Sequence, residues 1–187
     1  MGATSILASS AASIINASVS GFPDKSASVL NNLIGVGATA LMDLWALLQR
    51  RLLGIPSLDF AMVGRWLGHL RRGRLRHEGI GRSLPVAGER ALGWTAHYVI
   101  GVVFAVLLLA VVGNGWVQAP TLWPALAFGV LSVAAPFFIL QPGMGAGIAA
   151  SKTPAPGKAR LRSLVAHSVF GAGMYLSALL LAGVRAG

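Results

Sequence analysis

Long apolar runs dominate the chain, and polar segments of unequal length separate them. Four of these runs contain the roughly 20 helical residues needed to cross a hydrocarbon core about 30 Å thick. We predict membrane-spanning helices over residues 29–48, 94–112, 122–140 and 163–184. Pro136 falls inside the third run, where we expect it to kink the helix because proline lacks a backbone N–H.

The composition agrees with an integral membrane protein. The 187 residues are 55% hydrophobic and 11% charged, whereas a soluble domain carries about 25% charged residues. The sequence contains no cysteine, which excludes disulfides, thiolate metal ligands and thiol catalysis. The predicted fold is therefore all-α: an integral membrane four-helix bundle over residues 28–187, preceded by an N-terminal extension of residues 1–27.

Positive charge is concentrated in two of the connections. Residues 50–92 include nine arginines and residues 141–162 add four basic side chains, whereas the other side of the membrane has only Lys25 and Arg185. The positive-inside rule places both basic connections in the cytoplasm and both termini, including the extension, in the periplasm. The net charge of +10 thus indicates topology and not a nucleic-acid surface, because the basic residues lie between apolar spans.

Three ionisable side chains fall at a similar predicted depth. At ~1.5 Å per residue, Asp43 and His97 lie about 10 Å from the cytoplasmic ends of their helices, and His167 lies about 8 Å from its own. Each belongs to an i, i+4 row of small residues, and such rows are where membrane helices pack closely. We expect an imidazole to donate to Asp43, and Gln141, at the cytoplasmic end of the third span, to complete an intramembrane polar layer.

The intramembrane polar layer has several possible roles. The simplest is a polar clasp that fixes helix register. A proton or ion pathway and a divalent metal site are alternatives, since two histidines and one carboxylate form a known ligand set. A haem held between His97 and His167 is a third alternative. We predict no cofactor, assign no residue to a metal and find no catalytic constellation.

The connection after the first span predicts an amphipathic helix on the cytoplasmic membrane surface. Ser57 can cap this helix, and Leu58, Met62, Trp66 and Leu70 form one apolar stripe. Arginines border the stripe, an arrangement that suits anionic lipid headgroups or a docked partner. The residues predicted to bind headgroups or a partner are Arg65, Trp66, Arg71, Arg72, Arg74 and Arg76.

Other polar residues of this connection have simpler expected roles. We expect Glu78 and Glu89 to pair with nearby arginines, since an acid in an arginine-rich loop usually does so. His69 and His77 are expected to be solvated loop residues.

Four segments resemble an uncharacterised family of small bacterial integral membrane proteins, domain of unknown function 2938. They are GVGATALMDLWALLQRRLLGIPSLDFAMVGRWLGHL, GERALGWTAHYVIG, APFFILQPGMGAGIAASKTP and RLRSLVAHSVFGAGMYL. The resemblance runs from about residue 33 to residue 183 and implies a bacterial inner-membrane protein. It implies no activity, cofactor or catalytic residue.

The small size, the glycine-rich helix faces and the lack of a catalytic constellation favour a non-enzymatic protein. We expect an accessory or structural subunit that packs against a larger inner-membrane complex. The expected partners are membrane lipids, including anionic headgroups, and other membrane subunits or further copies of the chain, but not nucleic acid. The alternative is a small transporter, or a metal- or haem-binding redox protein, that uses Asp43, His97 and His167.

Overall fold

The computed structural model describes residues 25–186; most of these residues are helical and none of them is in a strand. The chain divides into two units, Met1–Leu30 and Asn31–Gly187. Residues 1–24 of the predicted N-terminal extension lie outside the described residues. The α-helices are α1 Lys25–Leu53, α2 Phe60–Leu70, α3 Glu89–Val112, α4 Leu122–Ser132, α5 Gln141–Met144 and α6 Pro156–Ala186.

Four helical segments are long and apolar enough to cross a membrane, which confirms the predicted all-α, four-span fold class. They are Ser28–Leu53, Glu89–Val112, Leu122–Met144 and Pro156–Arg185. Each of the four predicted spans lies inside one of these segments. Length and composition thus identify a multi-pass membrane protein.

The third span is interrupted where Pro136 predicts it. Helix α4 ends at Ser132, a π-helical stretch covers Pro136–Leu140, and α5 follows directly. Proline cannot donate a backbone hydrogen bond, so the regular i to i−4 ladder cannot continue through this position. The Phe137 amide resumes the bonding by donating to the carbonyl of Val133 at 3.0 Å.

Glycines bring two pairs of helices into backbone contact. A Cβ added to Gly35 of α1 would lie 2.5 Å from the Cα of Val102 in α3. A Cβ added to Gly129 of α4 would likewise lie 2.5 Å from the Cα of Gly171 in α6. Because no real Cβ approaches a backbone so closely, both contacts require glycine. These close approaches follow the small-residue packing typical of membrane helices.

Helix α2 packs against the start of α3 through another glycine pair. A Cβ added to Gly64 would lie 2.7 Å from the backbone nitrogen of Gly93. The prediction that Ser57 caps this helix was wrong: α2 begins at Phe60, and the Asp59 carboxylate accepts from the Ala61 amide at 2.9 Å. The predicted amphipathic helix is therefore present, but one of its faces is buried against protein.

Candidate functional site

Asp43 joins α1 to α3 through two hydrogen bonds. One carboxylate oxygen accepts from Nε2 of His97 at 2.9 Å, and the other accepts from the hydroxyl of Tyr98 at 3.0 Å. The side chains of His97 and Asp43 are only 11% and 21% exposed. Since both oxygens have donors, the cost of placing this acid inside a membrane helix is partly offset.

Aromatic rings surround His97 on the side nearest the loops. The ring of Phe60, the first residue of α2, lies 4.2 Å from the imidazole, centroid to centroid. Trp94 packs on Phe60 at 4.5 Å and lies 6.0 Å from His97. The imidazole is thereby held in one orientation by its hydrogen bond to Asp43 and by its ring neighbours.

His167 makes a separate hydrogen bond between α4 and α6. Its Nδ1 lies 2.7 Å from the hydroxyl of Ser132, which also donates to the carbonyl of Gly129 at 2.6 Å. A hydroxyl that donates to a carbonyl uses its single proton, so the imidazole Nδ1–H is the donor in the bond to Ser132. Ser132 itself is buried, at 7% exposed.

Gln141 belongs to a third pair. Its amide nitrogen donates to the hydroxyl of Ser163 at 3.4 Å, which is long for a hydrogen bond. The amide oxygen of Gln141 is buried and has no hydrogen-bond partner among the described residues.

The predicted intramembrane polar layer thus consists of three bonded groups. The structure brings Asp43 and His97 together, and it gives His167 and Gln141 other partners. Two residues that hydrogen-bond in this layer, Tyr98 and Ser132, were not predicted from the sequence. Within residues 25–186, no three side chains of the types His, Asp and Glu are grouped so that they could hold a metal ion.

Arg65 was predicted to bind headgroups or a partner, but the structure buries it within the protein. Its guanidinium makes a two-bond ion pair with the Glu89 carboxylate, at 2.9 and 2.7 Å, and also donates to the carbonyls of Gly81 and Ser83. Its hydrogen bonds to the Glu89 carboxylate raise the pKa of Arg65 above its ordinary value. The expectation that Glu89 pairs with an arginine is confirmed. Arg65 is only 8% exposed, so it does not face the membrane surface.

Trp66 also faces protein instead of lipid. Its indole N–H donates to the carbonyl of Leu75 at 3.0 Å. A Cβ added to Gly143, at the end of the third span, would lie 2.5 Å from the same indole nitrogen. Trp66 therefore fastens the connection after α2 to the end of the third span.

His69 and His77 were predicted to be solvated, and this was wrong because the connection folds over both. Nε2 of His69 lies 2.9 Å from the carbonyl of Leu84. Both the amide and Nδ1 of His77 bond the carbonyl of Gly143, at 3.0 and 3.2 Å. The two imidazoles meet edge to face at 5.1 Å. The connection between α2 and α3 is thus held against the end of the third span.

The remaining predicted headgroup residues surround a turn at Gly73, and we call them the loop arginines: Arg71, Arg72, Arg74 and Arg76. Gly73 has a φ of +75°, and a Cβ added there would meet no atom within 4 Å. The loop arginines are exposed, and none makes a side-chain hydrogen bond or ion pair with the part of the chain that the structure describes. Leu75, between them, is 62% exposed.

An open groove of about 370 Å³ lies where α1 ends and α3 begins. We call it the interfacial groove, and its lining is part cationic and part apolar. It is lined by Arg50, Pro56, Ser57, Leu58, Asp59, Phe60, Arg90 and Trp94.

Comparison with known families agrees with the resemblance found in the sequence. Residues 32–181 match the family described as "Protein of unknown function (DUF2938)". The comparisons with curated proteins and with solved structures found no match. Since the family match covers most of the chain, the protein belongs to the DUF2938 family.

Proposed function

We propose that this protein is a non-enzymatic accessory subunit of the bacterial inner membrane that packs against a larger membrane complex. The supporting observation is a division among its polar groups. Both oxygens of Asp43 are bonded within the bundle, whereas the loop arginines have no partner among the described residues. Asp43 thus serves as a clasp between helices, and the loop arginines are available to bind another molecule.

The proposed orientation places the loop arginines in the cytoplasm and both termini in the periplasm. It is supported by the charge asymmetry of the connections, under the positive-inside rule. A reporter enzyme fused after Gly79 should be active only if it is a cytoplasmic type. Activity of a periplasmic reporter at the same position would reverse the orientation.

The outer faces of the bundle leave room for a second membrane protein. Between 22% and 28% of the residues in each apolar span are buried inside the protein. The exposed faces contact lipid, a neighbouring subunit, or both, because lipid tails are as apolar as the side chains of a neighbouring helix.

The test is native mass spectrometry of the tagged protein extracted from its own host in a mild detergent. We expect unrelated larger subunits to be released together with the 19.3 kDa chain. Replacing all four loop arginines by Gln should reduce the amount of partner subunit recovered with the chain by about tenfold, because each exposed charge contributes to docking. The matched control replaces exposed basic residues of the other connection, Lys152, Lys158 and Arg162, and should keep the partner. Recovery of the wild-type chain alone, or only as copies of itself, would overturn the proposal.

A second candidate is a small transporter, or a metal- or haem-binding redox protein, built on the polar layer. One observation favours it: the pair Asp43 and His97 lies directly behind Phe60 and Trp94, which also line the interfacial groove. Ring contacts from Trp94 and Phe60 to His97, and the hydrogen bond from His97 to Asp43, therefore connect an open surface to the polar layer.

The two candidates separate in one pair of measurements. If the polar layer only holds the helices together, Asp43→Asn or His97→Gln should lower the melting temperature and leave the cellular phenotype intact. Loss of phenotype with an unchanged melting profile would favour the transporter or redox protein. A wild-type mass equal to the chain plus haem or metal would favour the redox protein specifically.

A further inference from the structure

The interfacial groove combines two unpaired cations with an aromatic and apolar wall. Arg50 and Arg90 are exposed, and neither makes a side-chain hydrogen bond or ion pair with any described residue. Trp94 is 40% exposed and Leu58 is 52% exposed. Both arginines lie at the same end of neighbouring spans, so the groove opens at the level of the membrane surface.

We propose that the interfacial groove binds the phosphodiester headgroup of an anionic phospholipid. Arginine presents a planar fork of N–H donors that matches phosphate oxygens, and two such forks face one groove. Its volume falls within the roughly 300–1,000 Å³ of ordinary ligand sites. This binding site is separate from the loop arginines and does not depend on the proposed accessory role.

Charge balance indicates which headgroup the groove prefers. Asp59 also lines it, so the groove carries two positive charges and one negative charge. The net charge of one positive matches the single negative charge of a phosphodiester without an amine. One oxygen of Asp59 is already bonded to the Ala61 amide. The N-terminal end of α2, which begins at Phe60, adds the positive end of a helix dipole to the same wall.

The apolar lining indicates a membrane lipid as the source of the phosphate. Trp94 and Phe60 form an aromatic pair in the wall of the groove, and tryptophan is enriched at the headgroup level of membranes. Leu52 and Leu53, which follow Arg50 on α1, are 76% and 68% exposed. A free phosphate would contact only the arginines, whereas a phospholipid would cover these apolar side chains as well.

The test counts the phospholipids retained by the purified full-length chain in native mass spectrometry. Phosphatidylglycerol, phosphatidylethanolamine and phosphatidylcholine are added at equal concentration. We expect phosphatidylglycerol to be retained best. The double substitution Arg50→Gln and Arg90→Gln should lower its retention by about tenfold, since two charge-assisted bonds are lost. The matched control, Arg51→Gln with Arg162→Gln, removes exposed charges outside the groove and should change retention by less than about twofold.

A gain-of-binding variant makes the test independent of any loss of fold. Asp59→Asn keeps the helix cap, because Asn caps as well as Asp, and removes the opposing negative charge. Retention of phosphatidylglycerol should rise by about threefold. Equal loss in both double variants would overturn the proposal, and so would equal retention of phosphatidylethanolamine. Displacement of phosphatidylglycerol by an equal concentration of inorganic phosphate would overturn the lipid as the ligand.

Discussion

The α1–α3 contact and the α4–α6 contact are built on the same plan and differ in one partner. In each pair, a histidine lies four residues before a glycine of the same helix: His97 before Gly101, and His167 before Gly171. Each glycine lies at a backbone contact with the neighbouring helix, and each histidine makes a hydrogen bond to that helix. In the first pair the partner is a carboxylate, and in the second it is a hydroxyl.

This difference sets how much each histidine matters for stability. Among the described residues, only the His97 and Tyr98 side chains donate to the Asp43 carboxylate. Ser132 already donates to the carbonyl of Gly129 in its own helix. An acid that loses its donors inside the bundle costs more than a hydroxyl that keeps a local bond. The α1–α3 pair is therefore the more costly of the two to disrupt.

The largest expected effect comes from placing a side chain at the glycines where the backbones of each helix pair touch. Gly35→Leu and Gly171→Leu should each lower the free energy of unfolding in detergent by about 3 kcal/mol, because the neighbouring backbone must move. Thermal melting followed by circular dichroism measures this loss. Gly183→Leu is the control, since no atom lies within 4 Å of a Cβ added there. Equal melting temperatures for all three variants would contradict the shared plan.

Removing the hydrogen-bond partner of each histidine should show which of the two helix pairs loses more stability. Asp43→Ala leaves His97 and Tyr98 without their acceptor and should cost about 2 kcal/mol, whereas Ser132→Ala should cost about 1 kcal/mol. Asp43→Asn retains a partner for the imidazole and should fall between the wild type and Asp43→Ala. A larger loss for Ser132→Ala than for Asp43→Ala would reverse the ranking of the two contacts.

A double variant tests whether the histidines act independently. The effects of His97→Gln and His167→Gln should add to within about 0.5 kcal/mol, because the two side chains have no common hydrogen-bond partner. Chemical denaturation of the two single variants and the double variant provides the thermodynamic cycle. A coupling energy above about 1 kcal/mol would show that the polar layer acts as one unit.

The smallest effect is expected outside the bundle. Changing the four loop arginines to Gln should leave the melting temperature unchanged, since exposed substitutions away from a bonded network are nearly neutral. Arg65→Gln is the contrasting variant, because it breaks the ion pair with Glu89 and the bonds to two carbonyls. It should lower the melting temperature clearly. A lower melting temperature for the variant without the loop arginines would show that they contribute to the fold.

The elements of the fold and the packing faces of its spans were predictable from the sequence. Hydropathy located the four spans, and Pro136 located the interruption of the third. The small-residue rows also predicted which helix faces pack closely, and Gly35 and Gly171 do lie at such contacts. Equal depth predicted that an imidazole donates to Asp43, and the structure shows that this imidazole is His97.

The sequence did not predict whether an apolar face contacts lipid or another part of the protein. An amphipathic stripe does not show whether it covers lipid or protein. The burial of Arg65 and Trp66 results from the packing of α2 against α3 and against the end of the third span, which the stripe does not reveal. Tyr98 was missed because neighbouring residues point about 100° apart on a helix. The long phenol side chain nevertheless reaches Asp43. Ser132 was missed because it belongs to no i, i+4 row of ionisable residues.

The turn at Gly73 has a consequence for how the chain can be divided. It is exposed and surrounded by arginines, and the flanking segments are each held elsewhere: α2 by α3, and His77 by Gly143. Trypsin should cut here first, and the two fragments should co-purify as one particle. Two separately translated chains that meet at this position should therefore reassemble in the membrane, so that a split gene can encode the same protein.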